Sequence, residues 1–254
     1  MFKNEKHAIK EWLEHYIKEG VEHFYLIDDM STDNWENEIQ NFSITLYKNK
    51  NDKNQLENYN YFLNEIKKTS KWVLVVDLDE FMYSRNNFKT ISQYLNTVDE
   101  KIGQINVKWK MFGSNNHINQ PKSIISGFTK RNYILNDLHC KAIVRTKYLI
   151  NFDIHYHKHS GKDIYLPDLG QCNFKKERPK NREKYCKTIK HFNFENEPLH
   201  LNHYPIQSLN FFKTIKMTRG MAGRWKGKNP RDLTYFKNYD NNYIYDDELK
   251  NKKY

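Results

Sequence analysis

The chain has 254 residues, 42 of them Lys or Arg and 31 Asp or Glu, for a net charge of +11. That length suffices for one large α/β domain, and the charge favours anionic partners, although no Lys/Arg block is long enough for a nucleic-acid tail. No apolar run approaches the roughly 20 residues of a membrane helix, and Cys140, Cys172 and Cys186 lack the spacing of a disulfide framework or a thiolate zinc site. Because Met1-Phe2-Lys3-Asn4-Glu5 is polar rather than signal-like, a soluble, cytoplasmic chain is expected.

Apolar residues at Ala8, Ile9, Trp12, Leu13, Tyr16 and Ile17 make one helical face, and Gly20 is placed to end that helix. His23 to Ile27 then reads as a strand delivering Asp28-Asp29-Met30-Ser31-Thr32-Asp33, a turn and helix-cap composition. Ser43 to Tyr47 is a short strand, and Leu56, Tyr59, Phe62, Leu63 and Ile66 mark a second amphipathic helix. Trp72 to Val76 predicts a strand buried on both faces, running into Asp77-Leu78-Asp79-Glu80. Ile91, Tyr94, Leu95 and Val98 predict a helix, and Gln104 to Trp109 and Lys141 to Arg145 two more strands. Strand and helix alternate, which implies parallel crossovers and a single-domain, mostly parallel α/β sheet flanked by helices. Beyond Lys147 the expectation is long loops with Pro167, Pro179, Pro198 and Pro205, a helix from Ser208 to Gly220, and a polar tail from Lys226 that is wrapped on the surface or disordered.

In open α/β sheets ligands collect outside the carboxyl ends of strands, where Asp77, Asp79 and Glu80 are expected to emerge. On an extended chain Asp77 and Asp79 project to the same side, and converging carboxylates repel unless a cation lies between them. Oxygen ligands suit Mg²⁺ or Mn²⁺, which keep positions open for substrate phosphates. An isolated D-x-D is more often only a cap or a solvated pair, so context has to decide. His155-Tyr156-His157-Lys158-His159 alternates too, and on a strand would set three imidazoles on one face, for a second metal or for acceptor contacts.

The context is a series of short motifs from about residue 4 to 220. It comprises Asn4-Glu5, Glu11-Trp12-Leu13 with His15, Gly20 to Tyr25, Asp28-Asp29 with Ser31-Thr32-Asp33, and Trp72 with Asp77-Leu78-Asp79-Glu80-Phe81. Trp109 with Phe112-Gly113-Ser114 and His117, Lys141 to Arg145, His203-Tyr204, Ser208, Lys216 and Arg219-Gly220 complete it. In these residues the chain resembles the metal-dependent, nucleotide-sugar-using glycosyltransferases of the GT-A fold, in the family 2-like and family 92 group. It departs from them at the start, where relatives place an apolar strand before the Asn-Glu pair and this chain has Met1-Phe2-Lys3.

The resemblance implies a Rossmann-like nucleotide-sugar half over residues 1–100, an acceptor half over 101–225 and a polar tail over 226–254. It implies Mn²⁺ or Mg²⁺ on Asp77, Asp79 and His203, holding a donor diphosphate. Asp28 or Asp29 would meet the nucleoside, Asp77 the ribose or the ion, and Lys141, Lys216, Arg219 and Arg224 the diphosphate, with residues 219–227 as a lid. Trp109, Phe112, Ser114 and His117, with His155, would form the acceptor wall. Glu80, Asp137 and Asp168 are unranked candidates for the base that an inverting reaction needs. The implied activity moves a hexose from a nucleotide sugar, foremost a uridine-diphosphate sugar, to a carbohydrate or hydroxylated acceptor. Nucleic acid is not an expected partner, no transmembrane segment is expected, and membrane contact would be peripheral. The competing readings are a metal-dependent phosphotransferase or nuclease, and a non-catalytic basic module whose nucleic-acid binding would fall steeply with salt.

Overall fold

The computed structural model describes residues 1–49, 54–133, 139–166, 196–219 and 229–254. Helix α1 (Lys6–Lys18) buries Ala8, Ile9, Trp12, Leu13 and Tyr16, the face its spacing predicts. It ends at Gly20, whose φ of +87° and close approach to Ser92, 2.6 Å from where a Cβ would stand, both require glycine. Strand β1 (Phe24–Asp28) pairs in parallel with β2 (Ile44–Lys48). Phe2 lies beside the end of β1: its N–H donates to the Ile27 carbonyl at 2.9 Å, and the Phe2 carbonyl accepts from Asp29 N–H at 2.8 Å. The second amphipathic run forms two short helices, α2 (Gln55–Tyr61) and α3 (Leu63–Thr69). The break at Phe62 keeps Tyr59, Phe62 and Ile66 in one apolar cluster with Ile27 and Val144.

The main sheet contains β3 (Trp72–Leu74), β4 (Glu80–Ser84) and the long β5 (Ile102–Met111), with α4 (Ile91–Thr97) between the last two. After β5 come the one-turn α5 (Ile124–Gly127), β6 (Lys130–Arg131), β7 (Cys140–Arg145), β8 (Leu149–Asn151) and β9 (Lys158–His159). Strands β10 (Lys162–Leu166) and β11 (Leu199–His203) follow. The strand order is β3-β7-β5-β11-β4, with β10 also paired to β5. β7 takes one edge of β5, while β10 and then β11 share the other.

The sheet is mixed rather than mostly parallel: β3–β7, β5–β7 and β4–β11 are antiparallel, and only β10 and β11 run parallel to β5. Between β5 and β7 the described chain holds only the one-turn α5, not the crossover helix that a parallel return needs. β3 is also shorter than its sequence suggests, and half-buried instead of enclosed. It is an edge strand, and its free side faces an apolar cavity of about 390 Å³ shared with Tyr25, Leu26 and Ile27 of β1. The lining reaches Ile27 and Val76 and stops just short of Asp28 and Asp77. No helix of the described residues is long and apolar enough to cross a membrane.

The polar tail is tied down. Ser208 caps α6 (Leu209–Phe211), which passes into a wider π turn over Phe212–Lys216. α7 (Leu233–Tyr239) starts at its N-cap Asp232, and β12 (Ile244–Tyr245) pairs with β6. Lys110 on β5, almost wholly enclosed, is reached by Asp246 at 2.9 Å and Glu248 at 3.2 Å, and Asp246 also binds Arg131 at 2.5 Å. A buried ammonium needs such partners, and these carboxylates lie more than 130 residues away in sequence.

Burial alone would raise the Asp246 and Glu248 carboxyls, but Lys110 and Arg131 on the first, and His200 and Lys110 on the second, hold both below the ordinary range. Carboxyls depressed in the fold stabilise it above the unfolded-chain value near pH 4, and that contribution is lost as pH falls through the folded value. Asp246→Ala is expected to remove about 1–3 kcal/mol at pH 7 by taking from Lys110 one of its two carboxylates, the one it shares with Arg131, read by urea unfolding. The gap between wild type and variant should narrow below about pH 4; a gap that is absent at pH 7 or constant with pH would refute this role.

Candidate active site

Two residues of α1, one turn apart on its buried face, shape the acidic motif. Trp12 Nε1 donates to the Asp77 carbonyl at 3.1 Å, and Tyr16 Oη donates to the Glu80 carbonyl at 3.1 Å while accepting from Met82 N–H at 2.9 Å. Asp77 to Glu80 is therefore a tight turn and not an extended strand end. Glu80 N–H donates to the Asp77 carbonyl at 3.1 Å, and the Glu80 carboxylate accepts from Asp77 N–H at 2.8 Å. From this turn the chain enters β4, whose antiparallel ladder with β11 sets Glu80 opposite His203. Tyr204 N–H donates to the Asp79 carbonyl at 2.8 Å, and His203 Nε2 comes to 3.6 Å from Asp79 Oδ1. Residues over 120 positions apart thus meet because two strands pair in one register.

Lysines answer these acids. Lys141, fully buried on β7, lies 3.0 Å from Asp77 Oδ2 and 3.4 Å from Glu80 Oε2. Lys216, at the end of the π turn, lies 2.5 Å from Asp79 Oδ2 and 3.4 Å from Glu5 Oε1. Arg219 reaches Glu5 at 3.1 Å and the Lys3 carbonyl at 2.7 Å. Burial pushes the Asp77, Asp79 and Glu80 carboxyls upward. For Asp77 the Lys141 charge wins and for Asp79 Lys216 and His203 win, so both are held below their ordinary range. For Glu80 burial outweighs Lys141 and raises the carboxyl above its ordinary range. Asp77 keeps 35% of its side chain accessible and Asp79 only 9%, so Asp77 is the open face of the pair.

Of the residues expected at a donor, Asp77, Asp79, Lys141, Lys216, Arg219 and His203 fall within this one network. The cations stand on protein carboxylates. Asp28 is buried and accepts from Ser31 N–H at 2.9 Å, closing its own turn, while Asp29 accepts from Asn49 at 2.8 Å. Asp33 caps α1, accepting from Lys6 N–H at 2.8 Å, and not the helix that follows it in sequence. Arg224 and residues 220–227 of the expected lid lie outside the described residues, as do Asp137 and Asp168. Glu80 has no accessible side chain and is committed to the turn and to Lys141.

The expected acceptor wall divides. Trp109 touches His203 at 4.3 Å between ring centres and is flanked by His139 at 5.4 Å and His155 at 5.5 Å. Burial, then Lys141 and His139, lower the His155 imidazole to about 4, so it is neutral near pH 7. Phe112, by contrast, is core against Tyr204 at 4.8 Å, and Ser114 is bonded to Asp240 and Asn116. His117 Nε2 bonds to the Gly127 carbonyl at 2.9 Å. These three shape the loop after β5 instead of lining the site. Only Lys158–His159 of the histidine run is strand; His155 bonds to the Cys140 carbonyl, His157 to Asp153 N–H and His159 to Asp163, so no common face forms. Among the described residues, Asp79, Glu80 and His203 are the set whose ligand atoms lie within 4.8 Å of one another.

Glu5 and His139 are site neighbours to which the sequence alone assigns no role. For Glu5 a signal existed: it stands in the Asn4-Glu5 pair just before α1. For His139 there was none, since its place follows from β5 and β7 pairing.

The sequence pattern of glycosyltransferase family 92 matches residues 1–247. A rice protein (Oryza sativa subsp. japonica) described as a glycosyltransferase family 92 protein is 25% identical over 173 residues, covering 63% of this chain. The chain in turn spans 29% of that relative's length. Among solved structures, HddC from Yersinia pseudotuberculosis is 11% identical with a TM-score of 0.37, covering 62% of this chain and 74% of that one, too slight a likeness to bear on fold or function. On the match across nearly its whole length, the chain belongs to glycosyltransferase family 92.

Proposed function

We propose that the chain transfers a hexose from a nucleoside-diphosphate sugar, foremost a uridine-diphosphate sugar, to a hydroxyl of a carbohydrate or similar acceptor, on a GT-A-like scaffold. The observation that carries this is the meeting of Asp77, Asp79 and His203 with Lys141, Lys216 and Arg219 at one turn. Such a mixture of acids and buried cations suits a ligand that brings both phosphate and a divalent ion.

The residues fit an ion such as Mn²⁺ or Mg²⁺. Asp79 and His203 offer oxygen and nitrogen ligands, and Glu80 Oε1 and His203 Nδ1 have no hydrogen-bond partner among the described residues. When bound, the ion would neutralise charge developing on the departing diphosphate. Asp79 and His203 would hold it, with Asp77 on the accessible side. Lys141, Lys216 and Arg219 would stabilise the same phosphates by charge-assisted hydrogen bonds. In the transfer the bond from the anomeric carbon to the diphosphate oxygen breaks, a bond to the acceptor oxygen forms, and the acceptor proton leaves. Trp109, with His155 beside it, would receive the acceptor's apolar sugar face. Should the reaction invert, Asp137 and Asp168 are the carboxylates proposed as base. Glu80, enclosed and bonded to Asp77 N–H, is better suited to keeping the turn rigid.

UDP with Mn²⁺ is expected to raise the melting temperature, with about 2.7 kcal/mol gained at a hundred times its Kd. In Asp79→Asn the shift should vanish while circular dichroism stays native. No shift with any UDP, GDP or CMP ligand, together with metal-dependent cleavage of nucleic acid, would replace this reading with a nuclease. Trp109→Leu is expected to lower transfer to the acceptor about tenfold, the loss of one good aromatic contact, and to leave Mn²⁺-dependent UDP binding unchanged. Equal loss of both would remove Trp109 from the acceptor side.

A further inference from the structure

Asp79 is held closely on one oxygen and only loosely on the other. Lys216 Nζ sits 2.5 Å from Oδ2, with its side chain enclosed. Oδ1 faces His203 Nε2 at 3.6 Å, too far for a hydrogen bond. His203 Nδ1 and Glu80 Oε1 also lack hydrogen-bond partners among the described residues, and one ligand atom each of Asp79, Glu80 and His203 lies within 4.8 Å of the others. One half of the carboxylate is thus neutralised by an ammonium, and the other half belongs to an incomplete set of donor atoms.

A divalent ion entering that set would lie within a few ångströms of the Lys216 ammonium. In a site this dry, like charges so close repel strongly. The two cations exclude each other on Asp79 unless an anion arrives to take one of them. A diphosphate is such an anion. The neighbouring pairs permit the change: Glu5, the second carboxylate of Lys216, has Arg219 at 3.1 Å and keeps a partner if Lys216 leaves. Lys216 also ends a π turn closed by the Met217 N–H to Phe212 carbonyl bond at 2.9 Å, a local widening that often accompanies functional positions. A lysine, with a compact charge on a flexible stem, suits a change of partner better than an arginine fork.

We propose that Lys216 is an exchangeable counter-cation of Asp79: it neutralises the carboxylate while the donor site is empty and passes to the donor diphosphate when a divalent ion takes Asp79. This rests on the donor-site reading above and extends it, because it makes ion binding and diphosphate binding depend on each other through one side chain. An ion arriving alone must displace an ammonium that has no anion to go to, so it binds poorly. An ion arriving with a diphosphate meets no such obstacle. By linkage the diphosphate gains from the ion by the same factor.

The test is a titration of Mn²⁺, followed by the paramagnetic resonance signal of the free ion, with and without UDP and without turnover. Lys216→Met is expected to bind Mn²⁺ alone about tenfold more tightly than wild type, and the tightening of Mn²⁺ binding by UDP should shrink by a similar factor. Its melting temperature should fall in EDTA, where Asp79 is stranded, and recover with Mn²⁺ by more than wild type gains. Lys216→Arg retains the charge and keeps the fold if the methionine variant does not. Its two-point grip on Asp79 should weaken Mn²⁺ binding in the presence of UDP about tenfold. Wild-type Mn²⁺ affinity in both variants would overturn the exchange, as would UDP binding equally well in EDTA and in Mn²⁺, since Lys216 would then stay on Asp79. If wild type binds neither Mn²⁺ nor UDP, the donor-site reading falls first, a result distinct from wild type binding both while the variants change nothing.

Discussion

The antiparallel ladder between β4 and β11 is the constraint on which the site depends. Its register sets His203 opposite Glu80 and hangs the Asp79 carbonyl on Tyr204 N–H. A shift by one residue would turn His203 to the other face, leaving Asp79 facing apolar core. β11 is also held by β5 through Leu201–Trp109 and His203–Met111, so the strand that supplies His203 is the one that seats Trp109. The acidic turn and the Trp109 ring are coupled by backbone pairing before any side chain is considered.

Charge balance is the second constraint. Glu5, Asp77 and Asp79 face Lys141, Lys216 and Arg219, and Glu80 shares Lys141 with Asp77. Each partner offsets a desolvation that neither could bear alone. Such a network is self-contained without a ligand, which is why the basic residues of the site point at protein carboxylates. Any anion that enters must compete with those carboxylates or arrive with positive charge of its own.

Local elements were legible because their patterns are local: the α1 face, Gly20, the β1 and β5 alternation and the Asp77-Leu78-Asp79-Glu80 motif. β4 was not, because Phe81 to Tyr83 directly follow the motif and read as its tail, whereas they form a fully buried strand. β10 and β11 escaped for a different reason. Each is five residues long, in a stretch of mixed polar composition, and gains its ladder from β5 rather than from its own pattern. The tail looked free because its anchor, Lys110, sits in β5 with nothing in its neighbourhood to announce Asp246 or Glu248. At the site, residue types were readable and partners were not: Lys141 and Lys216 were recognised as useful cations, but pairing on Asp77 and Asp79 is a property of tertiary placement.

A buried ionic cluster by itself argues little for function, since such clusters also serve as structural ties. The fold contains both kinds, and they differ in one respect. Around Lys110 every buried polar side-chain atom of Tyr83, Asp246, Glu248 and His200 has a hydrogen-bond partner, and the cluster joins the C-terminal segment to β5. Around Asp79, by contrast, Glu80 Oε1, His203 Nδ1 and Trp109 Nε1 are left without one among the described residues. Other unpartnered atoms are spread through the fold, but these three lie on adjoining residues across paired strands. Leaving buried donors and acceptors unmet is destabilising by about 1–3 kcal/mol each, a burden that a purely structural tie such as the Lys110 cluster does not carry. The imbalance falls where the acidic turn, the histidine and the aromatic ring converge, which sets this cluster apart from the Lys110 tie.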